Sequence, residues 1–75
     1  MGGTVEALYS LGYAYIQGRG VAQDFIEAHK WFNLSAATGN ADAVKARDAV
    51  AGMMTREQLA EAQRLAREWT NGTRR

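Results

Sequence analysis

Seventy-five residues and 8.2 kDa accommodate one small domain, which needs disulfides, a metal, close helix packing or a partner chain to be stable. With no cysteine and a single histidine, disulfides, thiolate or multi-histidine metal sites, iron–sulfur clusters and cysteine catalysis are excluded. A net charge of +1, with two basic against three acidic residues up to Gly39 and seven against five beyond it, lacks the basic field of a nucleic-acid binder.

Proline is absent while Ala, Leu, Gln, Glu and Arg abound, a composition that favours helix throughout. Thr4 opens the first periodic segment, with Glu6 in the first turn where a carboxylate suits the helix dipole. Val5, Leu8, Leu11, Gly12, Tyr15 and Ile16 keep helical spacing to about Gln17, and Gly18-Arg19-Gly20 stops the helix. Asp24 with Glu27 three residues on reads as a capping box for a second helix, through Trp31 and Phe32 to about Thr38. Gly39 ends it, and Asn40 caps a third helix from Ala41 to about Gly52. Thr55 with Gln58 is a second capping box, and the fourth helix aligns Leu59, Ala62, Leu65, Ala66 and Trp69. Its other face carries Glu61–Arg64 and Arg64–Glu68 pairs, and the tail from Asn71 to Arg75 is expected to fray. No segment alternates as a strand does. The fold class is all-α: four short antiparallel helices.

The short connections make these helices hairpins, and Ala7 and Ala43 suggest a repeat of 36 residues. The second hairpin then departs, with Leu11, Gly12 and Tyr15 answered by Arg47, Asp48 and Ala51. Gly12 in mid-helix costs about 1 kcal/mol relative to Ala, which makes sense only where another helix excludes a Cβ. Ala7, Ala28 and Ala36 are small enough for close helix contact, and Leu11, Tyr15, Trp31 and Phe32 are expected to fill the space between them.

The run Ala7-x3-Leu11-Gly12-x2-Tyr15-x2-Gly18-x-Gly20-Val21-x2-Asp24-x3-Ala28-x2-Trp31-x4-Ala36-Ala37-x-Gly39 resembles the Sel-1-like repeat, a relative of the tetratricopeptide repeats. The resemblance implies an α/α superhelix, or solenoid, of stacked helix pairs. Residues 4–39 would be a well-matched repeat, 40–70 a degenerate C-terminal capping pair and 71–75 a tail, about one and a half repeats in all. Stacks of three or more are usual. The chain is therefore expected to be a fragment of a longer array, or to pair its exposed first hairpin with another copy. Met1-Gly2-Gly3-Thr4 carries no signal-peptide pattern, and no apolar run approaches the ~18 residues that span a membrane. A soluble protein is expected, cytoplasmic or, with a leader removed, periplasmic.

Catalysis finds little support. His29 is the one general base near neutrality, and its neighbours Glu27 and Lys30 offer no relay. Ser10 and Ser35 lack a nucleophile elbow, no second metal ligand is at hand, and Gly18-Arg19-Gly20 is too short for a phosphate loop. An interhelical or surface histidine, and no enzyme, cofactor or metal, is the expectation. Arg64 and Arg67 have Glu61 and Glu68 beside them, so the basic residues of the second half read as a solvated helix face.

In the family that the chain resembles, the first helix of each pair lines a concave surface that binds peptides or protein segments. Mapped through Leu11, Gly12 and Tyr15, the inward positions free of packing are Glu6, Tyr9, Tyr13, Ile16 and Gln17, and 36 residues on Asp42, Lys45, Ala49, Gly52 and Met53. Tyr9 and Tyr13 present two aromatic rings with polar tips, a combination favoured at interfaces, or else merely cover a bare side of the fold. The resemblance implies a non-enzymatic adaptor or scaffold of bacterial type with a protein or peptide partner. The alternative is a self-assembling module that stacks through its first hairpin.

Overall fold

The computed structural model describes residues 3–73, with side chains described from Ala7 to Gly72. It contains four helices, α1 (Gly3–Gln17), α2 (Phe25–Ala37), α3 (Ala41–Ala51) and α4 (Arg56–Thr73), and no strand among the described residues. The fold is all-α. Residues 71–73, expected to fray, continue α4.

Polar side chains set most of the helix ends. Asp24 Oδ1 accepts from the backbone N–H groups of Ile26 and Glu27, but Glu27 does not complete a capping box. Its carboxylate pairs instead with Lys30 at 3.0 Å, one turn on. Asn40 Oδ1 caps α3 through Asp42 and Ala43. Thr55 and Gln58 form the full reciprocal box, Thr55 N–H to Gln58 Oε1 at 2.9 Å and Gln58 N–H to Thr55 Oγ1 at 3.1 Å. Gly18, Gly20 and Gly39 all take positive φ, the backbone region that only glycine enters without cost. Gln23 Nε2 donates to the Ile16 carbonyl at 2.8 Å and ties the first connection down.

The close helix pairings are α1–α2, α2–α3 and α2–α4, so α2 is the axis on which the other three lean. Helices α3 and α4 do not form a hairpin as close as that of α1 and α2. On one side of α2, Leu8, Leu34 and Ala66 join α1, α2 and α4, with Trp31 packed over them. The Trp31 ring meets Trp69 edge-on at 5.7 Å and has Lys30 Nζ 4.3 Å from its centroid. On another side Ala28 and Phe32 meet Val50 of α3, flanked by Tyr9, Tyr15, Ile16, Phe25, Ala46 and Met54.

Gly12 shows why the first hairpin needs a residue without a side chain. A Cβ there would lie 2.5–2.8 Å from three carbons of the Phe32 ring, which is fully buried. Ala28, also fully buried, fills its expected role. Leu11 does not: it is 38% exposed, and Ala7 is exposed as well. The helical spacing put Leu11 with the core, but α2 covers the Leu8–Gly12 side of α1 and leaves Leu11 to the outside.

Candidate functional site

Tyr9 and Tyr13 stand one turn apart on α1, and the structure brings their rings together edge-on at 5.0 Å. Both also rest on Phe32, at 5.6 and 5.1 Å, so the ring that fills the Gly12 notch supports the pair from below. Tyr9 Oη donates to Tyr13 Oη over a long 3.4 Å. That bond, reinforced by burial and by the negative charges that Tyr13 on ionising and Asp42 contribute, pushes the Tyr9 phenol up to about 12 and keeps it neutral. Tyr13 is 40% exposed while Tyr9 is half-buried, so the pair offers one ring to solvent and anchors the other.

The remaining expected site residues divide. Ile16, like Tyr9, packs on the Ala28–Phe32–Val50 cluster, so neither is free of packing as the spacing implied. The reason is that α2 passes beneath this side of α1. Gln17, Asp42, Lys45, Ala49, Gly52 and Met53 are exposed, Met53 by 58%. The Glu6 side chain lies outside the described residues. Asp42 is near enough to act on Tyr9, which links the N-terminal end of α3 to the tyrosine pair. A continuous wall of α1 against α3 is not formed, because those helices pair with α2 instead.

His29 is an interhelical residue, 3% exposed, with Nδ1 buried and without a hydrogen-bond partner. Burial lowers its pKa, Arg47 lowers it further, and Asp48 opposes them. The imidazole is thus held neutral away from solvent, a structural setting with no access for a substrate. Arg47 Nη1 also donates to Asn33 Oδ1 at 3.4 Å, tying α3 to α2 one turn beyond the histidine.

A surface that the spacing did not suggest is a cleft of about 410 Å³ between α2 and α4. It is lined by Asn33, Leu34, Ala37, Gln63, Ala66, Arg67, Thr70 and Asn71. Of its polar members only Arg67 was read from the sequence as part of a solvated helix face, since the sequence does not say that this side of α4 turns to α2. Among the described residues no group of three or more His, Cys, Asp or Glu could hold a metal ion, and no helix is long and apolar enough to cross a membrane.

The chain matches the Sel1 repeat family over residues 5–40. No curated protein and no solved structure matches it. The match spans α1, the Gly18–Gly20 turn and α2, the hairpin built on the Gly12–Phe32 contact. Sel1 repeats are in general protein–protein interaction modules and typically non-enzymatic scaffolds. Residues 5–40, this hairpin, are a Sel1 repeat.

Proposed function

We propose that this chain is a non-enzymatic interaction module that receives a peptide or partner protein on the α1 face carrying Tyr9 and Tyr13, with Asp42 at its edge. The observation that carries this reading is the support of both rings by the buried Phe32. A ring pair already fixed in place loses little conformational freedom on binding, and tyrosine supplies apolar area with a polar tip. Met53 and Lys45 add an adaptable apolar side chain and a positive charge on the exposed side of the third helix and its end. Glu6, Gln17 and Ala49 complete the proposed surface, with Ile16 contributing from below.

Affinity capture with the native chain and with a folded Tyr9→Ala/Tyr13→Ala variant tests it. A protein retained by the first and lost by the second supports the tyrosine face. Retention by both moves the site elsewhere.

A second reading is self-assembly, favoured by Leu11 and Ala7 being exposed together on α1. These are the residues that a preceding helix pair, or a second copy, would cover. Sedimentation at several concentrations separates the readings: a concentration-dependent mass that Leu11→Ser abolishes supports assembly, and a constant monomer refutes it.

A further inference from the structure

The cleft between α2 and α4 shares no residue with the tyrosine face. Its floor is apolar, with Leu34 and Ala66 almost fully buried. Along one row of α4, Gln63, Arg67 and Asn71 follow at intervals of four, and Asn33 faces them from α2. No carboxylate lines the cleft. On α4 the acidic side chains of Glu61 and Glu68 both pair with Arg64, and among the described residues Arg67 is in no ion pair.

Each feature selects a property of what could lie there. A carboxamide offers a donor and an acceptor together, the match for a peptide group. Helices and sheets have already spent those backbone groups on themselves, so a row of carboxamides favours an extended segment. Asn33 has its Oδ1 engaged by Arg47, which leaves its NH₂ to donate to a backbone carbonyl. The guanidinium of Arg67, with no acid of its own, is complementary to a carboxylate. The volume falls within the range of binding clefts, and alanine on the floor leaves room for an aliphatic side chain.

We propose that the α2–α4 cleft docks an extended acidic segment of a partner protein, its backbone on Asn33, Gln63 and Asn71, an aliphatic side chain over Leu34 and Ala66, and a carboxylate on Arg67. This site is independent of the tyrosine face, and either can fail without the other.

The test is side-chain amide NMR on the full chain, titrated with the probe peptide acetyl-Gly-Glu-Leu-Glu-Gly-amide and with its counterpart in which Gln replaces both Glu. The acidic peptide is expected to shift the NH₂ signals of Asn33, Gln63 and Asn71 and to bind about fivefold more tightly than the neutral one, the scale of an exposed ion pair. Arg67→Gln, which changes an exposed side chain, should erase that difference. Gln63→Ala should weaken both peptides, and Tyr9→Ala/Tyr13→Ala neither. Unmoved NH₂ signals at millimolar peptide, equal binding of the two peptides, or shifts confined to the tyrosine face would each overturn the assignment.

Discussion

Adding one methyl group at Gly12 sets two opposed effects against each other at a single position. On propensity alone, Gly12→Ala in the middle of α1 would stabilise the helix by about 1 kcal/mol. The new Cβ, however, would stand 2.5 Å from Phe32 Cε1, 2.6 Å from Cδ1 and 2.8 Å from Cζ. Carbon atoms in contact prefer about 3.5–4.0 Å, so the ring or the helix must move by about 1 Å. The ring has little room to yield: Phe32 is fully buried, with Tyr9 tilted against it, Tyr13 edge-on to it and Val50 in the same cluster. Overpacking of this kind costs about 1–3 kcal/mol, so the net effect is a loss of up to about 2 kcal/mol. In a domain of this size that corresponds to a fall in Tm of up to about 15 °C. Gly72 provides the control, because a Cβ there meets nothing within 4 Å. Gly72→Ala should be neutral or stabilising, and urea denaturation of the two variants side by side isolates the contact with Phe32. Gly12→Leu should abolish folding. If Gly12→Ala instead stabilises the chain by the full ~1 kcal/mol of helix propensity, the close approach of α1 to α2 is refuted.

Trp31→Ala should cost about 2–4 kcal/mol, since Trp31 covers Leu8, Leu34 and Ala66 and is only partly buried itself; a denaturation midpoint within error of the native one would remove it from the core. The lowered pKa of buried His29 means that the unfolded chain binds the proton more readily than the folded one. Stability should therefore be full above about pH 6.5 and decline as the pH falls toward the folded-state value, and urea melts of His29→Leu between pH 7.5 and 5 should lack that share of the decline. The raised Tyr9 pKa acts in the opposite sense. Its contribution is full below about pH 10 and is lost as the pH climbs toward 12, and alkaline denaturation of Tyr9→Phe should show the loss diminished.

Local chemistry was the most legible part of this sequence. Asn40, and Thr55 with Gln58, act within four residues of themselves, so their roles follow from spacing alone. The Asp24–Glu27 pair shows the limit even there: Glu27 had a competing partner one turn on, and Lys30 took it. Gly12 was legible because a glycine that costs a helix stability implies a neighbour, although the identity of that neighbour, Phe32, required the structure. Leu11, expected in the core, and Tyr9 and Ile16, expected to be free of packing, differ from the structure for one shared reason. Periodicity groups residues by the side of a helix on which they lie, but not by the helix that side meets. The choice of α2 as the common axis is a tertiary outcome, and it decides which side of α1 is inside. The same outcome created the α2–α4 cleft from residues that, on α4 alone, look like an ordinary solvated stripe.

The central position of α2 also bears on how quickly this chain can find its fold. Two of its three close pairings, α1–α2 and α2–α3, join helices adjacent in sequence, and α2–α4 skips only one. Contacts of that kind close small loops, whose entropic cost rises only slowly with length, and topologies dominated by them fold on the microsecond-to-millisecond scale. Docking of α4 is then the step with the largest loop to close. Lengthening the stretch between Ala51 and Arg56 would slow that step alone, while the hairpin that carries the Sel1 repeat would assemble at its native rate.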